Sequence, residues 1–219
     1  MGRKNFSRNN LGQRKANDFY QTPLSMTERL LDIMPLEVAD FPVMEPACGE
    51  GAIVQVLERR YPGARIMAYD IKDGIDFLLE DRKVETIITN PPFSLSLDFI
   101  KKCKAVARRR FALLLPIDYL HGSARFREVF DVVDEWPLVS FNVFVRRAML
   151  DDGVRMDGKY HTGMISWAWY VWEHQGAPTR SAPVIRWIDN DADVIRRDGW
   201  RLEHEPEAQL FDEVSGVNL

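Results

Sequence analysis

The sequence predicts a doubly wound α/β domain, in which helices cover both faces of a parallel sheet. Residues 84–89 and 110–116 form apolar runs without a polar face, as strands buried on both sides do. Helical patterns separate these runs, and parallel strands require such crossover connections. Together the runs and the helices between them predict this fold class.

Strands and helices alternate from residue 22 onward. Thr22 and Pro23 predict a helix cap followed by a first-turn proline, and Pro35 ends that helical pattern. A short strand at Val43–Glu45, a glycine turn and a helix at Ala52–Arg60 follow. The remaining strands of this part are predicted at residues 65–70, 84–89 and 110–116.

The later part of the chain has longer, aromatic-rich segments at residues 139–147 and 164–173. A polar, glycine-containing loop at residues 149–163 separates them, so we expect an antiparallel hairpin that closes the sheet. Trp167 and Trp169 lie on one face of such a strand and Trp172 on the other, which predicts that most of this run is core.

The charge is distributed unevenly along the 219 residues, although the composition is that of an ordinary globular protein. Residues 1–17 carry five cations and no acid, whereas residues 187–219 carry nine acids and three cations. We therefore expect a basic arm at 1–17, one domain at 18–186 and an acidic tail at 187–219. A polyanionic partner and a solvated tail explain the arm equally well.

Several classes of protein are not indicated. The first residues contain no apolar signal segment, and no window approaches the roughly 18 apolar residues of a membrane span. The expected location is cytoplasmic, with no membrane partner. Two cysteines and four dispersed histidines predict neither a disulfide framework nor a metal site.

A glycine turn follows the first strand, within the segment from Glu45 to Gly51. Gly49 and Gly51 allow the backbone to approach a ligand at a helix N-terminus. Asp70 ends the next strand, 21 residues after Gly49, where a carboxylate accepts hydrogen bonds from a ribose diol. A plain turn and a capping aspartate are the alternatives for these residues.

The identity of neighbouring residues favours a cationic nucleotide ligand over a dinucleotide. The dinucleotide fingerprint requires a third glycine where this chain has Val54. A pyrophosphate also requires positive charge where Glu45 and Glu50 lie.

The ordered motifs EPACGEG, Asp70, Asp76-Phe77 and NPPF (residues 90–93), with DFYQTP upstream, resemble those of S-adenosylmethionine-dependent amino-methyltransferases. The resemblance is to small DNA adenine-N6 methyltransferases of phage or prophage type, and it covers residues 18–173. It implies a Rossmann-like class I methyltransferase fold with a mainly parallel seven-stranded sheet, S-adenosylmethionine as cofactor and S-adenosylhomocysteine as product. The cofactor-binding residues that it implies are Phe19, Thr22, Pro23, Glu45, Pro46, Ala47, Gly49, Gly51, Asp70, Ile71, Asp76, Phe77 and Asn90.

In this resemblance the NPPF motif is catalytic, through Asn90, Pro91, Pro92 and Phe93. The amide oxygen of Asn90 and the carbonyl of Pro91 can accept from both N–H bonds of an amine, while the prolines restrict the backbone and remove donors. Phe93 can stack on a base. A strand-terminating turn is the structural alternative, since Asn-Pro initiates turns.

The substrate is less closely defined than the chemistry. DNA adenine is the leading expectation, either flipped out of a duplex or in a single strand, with short or relaxed sequence recognition carried by residues 118–127 and 149–163. RNA adenine, protein glutamine and an inactive cofactor-binding module stay open. The cations at residues 101–110 fit either a phosphate backbone or the helix dipole. Predicted nucleic-acid contacts are Arg3, Lys4, Arg8, Arg14, Lys15, Arg125, Arg146, Arg155 and Lys159.

Overall fold

Helices and strands alternate through the residues that the computed structural model describes, 21–146 and 165–189. No helix in these ranges has the length and apolar character that a membrane crossing requires. The helices are α1 (Leu24–Ile33), α2 (Ala52–Arg60), α3 (Ser96–Val106) and α4 (Ser123–Arg125), which a π-helical turn at Phe126–Phe130 continues. The strands are β1 (Val43–Glu45), β2 (Ile66–Ala68), β3 (Val84–Thr89), β4 (Ala107–Pro116), β5 (Val133–Asp134), β6 (Leu138–Phe144), β7 (Trp167–Glu173), β8 (Thr179–Arg180) and β9 (Val184–Ile188).

Seven strands form one sheet in the order β2-β1-β3-β4-β7-β6-β9. Neighbouring strands are parallel except at β7, which runs antiparallel to β4 and to β6. Strands β5 and β8 form a separate antiparallel ribbon. The predictions of a mainly parallel, seven-stranded sheet and of an antiparallel C-terminal pair are therefore confirmed.

Each face of the sheet has its own hydrophobic core. Helix α3 packs on one face, and α1 and α2 pack on the other. Inner strands supply both cores, because successive side chains of a strand point to opposite faces. Phe111 and Leu113 of β4 lie on the α3 side, whereas Ala112 and Leu114 lie on the side of α1 and α2.

Several predicted boundaries differ from the observed ones. The strands predicted at 65–70, 139–147 and 164–173 are β2 at Ile66–Ala68, β6 at Leu138–Phe144 and β7 at Trp167–Glu173. Strands β1 and β3 and helix α2 occupy the predicted residues. Strand β4 begins at Ala107 and not at residue 110, because Arg108 and Arg109 belong to its exposed amino end. Strand β9 crosses the expected boundary between residues 186 and 187 and ends at Ile188.

Helix α1 begins one residue later than predicted. Its first residue is Leu24, and Pro23 occupies the N-cap position. The prediction that Thr22 caps the helix is wrong, because the Thr22 hydroxyl accepts a hydrogen bond from the side chain of Asn90. This contact belongs to the candidate site described below.

The tryptophans of β7 divide between the two cores, as predicted. Trp167 and Trp169 pack on the side of α1 and α2, and Trp172 packs on the side of α3. The indole N–H of Trp169 donates to the carbonyl of Met26 at 2.8 Å. Helix α1 is therefore bound to the C-terminal part of the sheet by a buried hydrogen bond as well as by apolar contacts.

Replacing Trp169 with Phe is expected to destabilise the protein more than replacing Trp172 with Phe. Both side chains are fully buried and lose the same atoms. Among the described residues, however, no group accepts a hydrogen bond from Trp172 Nε1. The free energy of unfolding, from urea denaturation, should fall by about 1–2 kcal/mol more in Trp169→Phe. Equal losses in the two variants would contradict this assignment.

Candidate functional site

A cavity of about 530 Å³ opens at the carboxyl ends of β1, β2 and β3. Ligands of open α/β sheets bind at this edge. Among the described residues, those that line the cavity lie between Gln21 and Phe99. The predicted site residues that line it are Thr22, Glu45, Pro46, Ala47, Asp70, Ile71, Asp76, Phe77, Asn90 and Pro92.

Other predicted site residues lie beside the cavity or outside the described ranges. Pro23, Gly49, Gly51, Pro91 and Phe93 adjoin lining residues in sequence but do not line the cavity themselves. The predictions that fall outside the described residues are Phe19, Arg3, Lys4, Arg8, Arg14, Lys15, Arg155 and Lys159.

The loop between β1 and α2 depends on left-handed glycines. Gly49 has a φ of 50° and Gly51 a φ of 82°, values that other residues rarely adopt. Gly51 occupies the N-cap of α2. These conformations bring the loop around the end of β1 and direct the N-terminus of α2 toward the cavity side of the sheet.

Asp70 connects the end of β2 to this glycine loop. One of its carboxylate oxygens accepts from the N–H of Gly49 at 2.7 Å, and the other accepts from the N–H of Lys72 at 3.0 Å. The ammonium group of Lys72 returns to the carbonyl of Gly49 at 2.5 Å and to Glu50 at 3.1 Å. Each oxygen of Asp70 has a second lone pair, so the carboxylate can still accept from two ligand hydroxyls.

Glu45 is a buried carboxyl group at the end of β1, with 1% of its surface exposed. Its Oε1 accepts from the Thr89 hydroxyl at 2.6 Å and from the N–H of Ala47 at 3.2 Å. Burial raises the pKa of Glu45 to about 8, and the two hydrogen bonds oppose that rise only in part. Among the described residues, nothing donates to Glu45 Oε2, which is also buried. A cationic group in the cavity would favour the charged form.

Asp76 and Phe77 form the wall of the cavity beyond β2. Asp76 accepts from the N–H of Leu78 at 2.9 Å and begins a short 3₁₀ turn. Phe77 is 2% exposed, and its ring centroid lies 5.1 Å from that of Phe99. This wall is therefore rigid and apolar, with one carboxylate at its edge.

Asn90 follows β3 directly and lines the same cavity as the two carboxylates. Its Nδ2 donates to the Thr22 hydroxyl at 3.0 Å, across 68 residues of chain. The next residues turn away from the strand, and the ring of Phe93 packs 5.0 Å from that of Trp167. An amide and an aromatic pair thus lie side by side at the end of an inner strand.

Sequence reasoning missed several residues of the site. Thr89 stands directly before Asn90, at the end of an otherwise apolar run. A polar residue at this position indicates that its hydroxyl has a hydrogen-bond partner at the strand end, which is Glu45. Lys72, two residues after Asp70, carries no signal of this kind in the sequence. Its contacts with Gly49 and Glu50 form only when the loop folds. The other missed lining residues are Gln21, Cys48, Glu50, Ala52, Ile53, Ile75, Leu78, Leu95 and Phe99.

The predicted nucleic-acid contacts in the described ranges, Arg125 and Arg146, do not line the cavity. The Arg125 guanidinium lies 4.7 Å from the ring centroid of Tyr119, after β4. Arg146 follows β6 and forms an ion pair with Asp189 at 3.8 Å. Both residues belong to the carboxyl-end edge of the sheet, where the cavity also opens.

The cations at residues 101–110 do not form a positive surface patch. Each of the six lies in an ion pair, and the acids come from several other elements. The pairs are Lys101 with Glu128, Lys102 with Asp81, Lys104 with Asp134, Arg108 with Glu85, Arg109 with Asp40, and Arg110 with Asp40 and Glu173. Because these cations and acids neutralise one another, the ion pairs argue against binding of a phosphate backbone by residues 101–110.

Within residues 21–146 and 165–189, no group of His, Cys, Asp and Glu side chains could hold a metal ion. Cys48 and Cys103 are both free thiols. Cys48 lines the cavity, and burial, followed by the nearby Glu45, raises the pKa of its thiol. In the described ranges, the polar side chains that line the cavity are four carboxylates, two amides, one hydroxyl, one thiol and one ammonium group: Glu45, Glu50, Asp70, Asp76, Gln21, Asn90, Thr22, Cys48 and Lys72.

Neither a protein-family model nor a curated protein sequence matches this chain. A Listeria monocytogenes protein assigned as a class I S-adenosylmethionine-dependent methyltransferase superposes with a TM-score of 0.51, at 11% identity, over 77% of this chain and 65% of its own. The fold is that of a class I methyltransferase. The type IIG restriction endonuclease BpuSI has a TM-score of 0.52, at 13% identity, over 80% of this chain and 28% of its own. The chain spans less than two thirds of either structure.

The raised pKa of Glu45 predicts a specific dependence of stability on pH. The folded state keeps a proton on Glu45 up to about pH 8, whereas the unfolded state releases it near pH 4.5. Stability from this group is therefore complete below pH 4.5 and is lost as the pH rises through 8. The difference in unfolding free energy between wild type and Glu45→Gln should fall by up to about 1.4 kcal/mol per pH unit in this window.

Urea denaturation of both proteins at several pH values between 4.5 and 9 measures this difference. The matched control is Glu50→Gln, which makes the same change at an exposed carboxylate of the same loop. A wild-type minus Glu45→Gln difference that stays constant across the range would show that Glu45 is ionised in the folded protein.

Proposed function

We propose that this protein transfers a methyl group from S-adenosylmethionine to the exocyclic N6 amino group of adenine in DNA, with short or relaxed sequence specificity. The observation that carries the proposal is the position of Asn90. It lines one cavity together with the carboxylates that end β1 and β2. An acceptor for an amine and acceptors for a cationic nucleoside therefore lie within one binding site.

The residues of the cavity fit this cofactor. The buried Glu45 carboxyl group has an oxygen to which no described residue donates a hydrogen bond, and it suits the ammonium of the methionine part. The remaining lone pairs of Asp70 suit a ribose diol, and Asp76 beside Phe77 suits the amino edge and face of an adenine. Thr22 and Pro23, at the start of α1, would contact the methionine side. Bound here, S-adenosylmethionine supplies an electrophilic methyl group.

Asn90 and Pro91 supply the catalytic chemistry of the chain. An exocyclic amine is a poor nucleophile because its lone pair is delocalised into the ring. The amide oxygen of Asn90 and the carbonyl of Pro91 would accept from the two N–H bonds and favour a pyramidal nitrogen. Positioning and preorganised dipoles of this kind account for on the order of 7 kcal/mol or more of barrier reduction. No strong base is needed, since the methylated amine is itself very acidic.

A planar aromatic substrate suits the surroundings of Asn90. Phe93 and Trp167 form an aromatic pair directly after the catalytic amide, and bases stack on such side chains. Arg125 and Arg146 lie at the same edge of the sheet and would contact phosphates. Because the cations of residues 101–110 are paired with acids, DNA binding would depend on Arg125, the N-terminal cations, Arg155 and Lys159. Arg146 would contribute only where a phosphate replaces Asp189 as its partner.

Methyl transfer from labelled S-adenosylmethionine tests the proposal, with unmethylated duplex DNA, single-stranded DNA and total RNA as substrates. Nucleoside digestion and mass spectrometry should identify N6-methyldeoxyadenosine. In Asn90→Ala, kcat should fall at least about 100-fold, while the Kd for S-adenosylmethionine stays within about 3-fold. Gln175→Ala removes an exposed amide outside the cavity and serves as the control.

The other substrates give distinct outcomes in the same experiment. Label in RNA but not in DNA at matched salt would make the protein an RNA adenine methyltransferase. If S-adenosylmethionine binds but no nucleic acid is labelled, a protein glutamine is the next substrate to assay. No transfer to any of these would leave a cofactor-binding module without catalysis and would refute the proposal.

A further inference from the structure

The side-chain amide of Asn90 is held by a residue 68 positions earlier in the chain. Thr22, which is 5% exposed, accepts from Asn90 Nδ2 at 3.0 Å. Thr22 precedes α1, and Asn90 follows β3. The contact therefore joins the entrance of the N-terminal helix to the strand end that carries the amide.

The direction of this hydrogen bond determines what Asn90 can do. The oxygen and nitrogen of an amide have almost the same size, but only the oxygen accepts from an N–H bond. Because Nδ2 points to Thr22, Oδ1 lies on the other branch of the amide. A side chain rotated by half a turn would present two N–H donors to an amine substrate and repel it.

We infer that Thr22 is a positioning residue, whose hydroxyl holds the Asn90 side chain in place at the end of β3. The catalytic part of this inference rests on the proposed function. The neighbouring hydroxyl does not take part, because Thr89 donates to Glu45 at 2.6 Å. The adjacent residues Thr89 and Asn90 are thus bonded to different partners, one to β1 and one to the start of α1.

The scaffold holds the Thr22 hydroxyl in place. Met26 and Leu30 of α1 are fully buried, and the carbonyl of Met26 accepts from Trp169 of β7 at 2.8 Å. Helix α1 therefore cannot shift without disturbing the core. A hydroxyl at its entrance is a more rigid partner for the amide than a long side chain would be.

Kinetics of Thr22 variants test the positioning role. Thr22→Val keeps the shape of the side chain but cannot accept a hydrogen bond, whereas Thr22→Ser keeps the hydroxyl. In Thr22→Val, kcat should fall about 3- to 10-fold, the factor that one ordinary hydrogen bond contributes to a conformational preference. Thr22→Ser should restore most of this loss. A change confined to the KM for S-adenosylmethionine would instead assign Thr22 to cofactor contact alone.

A double-mutant cycle separates positioning from general packing. In an Asn90→Ala background no side-chain amide remains to be positioned. Adding Thr22→Val to this background should change kcat by less than about 2-fold, because the hydroxyl has lost the group that it holds. An equal loss in both backgrounds would overturn the inference.

A spectroscopic readout is independent of activity. The side-chain amide of Asn90, identified in ¹H–¹⁵N spectra by its absence in Asn90→Asp, should show one downfield, slowly exchanging proton. This signature should disappear in Thr22→Val and persist in Thr22→Ser, with thermal unfolding confirming that both variants fold. Its presence without any methyl transfer would refute the proposed function and support the positioning contact. Its absence in wild type would refute the contact itself.

Discussion

The hydrogen bond from Thr89 to Glu45 joins two inner strands through a buried carboxyl group. Burial of that group is costly, and the cost is tolerated because the hydroxyl of Thr89 and the N–H of Ala47 satisfy one oxygen. The other strand ends repeat this arrangement, since Asp70 accepts from the glycine loop. Polar groups at the carboxyl edge are thus bonded to one another before any ligand arrives, and the cavity walls are preorganised.

Charge is distributed differently on the opposite edge of the sheet. There, Asp40 is fully buried, accepts a hydrogen bond from Arg109 and forms an ion pair with Arg110, at the amino end of β4. Ion pairs at the amino-end edge stabilise the fold, whereas the carboxylates at the carboxyl-end edge can still accept hydrogen bonds from a ligand. The two ends of the same strands therefore use the same residue types for different purposes.

The sequence predicts the inner part of this fold well. Strands β1 and β3 and helix α2 are bounded by turn residues and carry clear apolar patterns, so their limits agree with the structure. The sequence does not predict strand β9, because it is an edge strand in which Val184, Ile185 and Trp187 are exposed and no apolar face repeats. The amino end of β4 was missed because three arginines do not look like a buried strand.

The site was predictable where its residues follow one another in motifs. Glu45, Asp70 and Asn90 each stand at the end of a strand, within the ordered motifs on which their predicted roles rest. The contact between Thr22 and Asn90 has no such signal, since two polar residues 68 positions apart become neighbours only through packing of α1. The apolar wall from Leu78, Leu95 and Phe99 is likewise a product of tertiary structure.

The hydrogen bond between Trp169 and Met26 also bears on the order in which the protein is assembled during synthesis. The lining residues that the structure describes are all translated by Phe99, but the indole that binds α1 comes 70 residues later. A nascent chain that has emerged only as far as β4 contains these lining residues and lacks the surface on which α1 rests. Completion of the site therefore waits for the strand at the far end of the sequence, and a ribosome-bound intermediate holds an unfinished pocket.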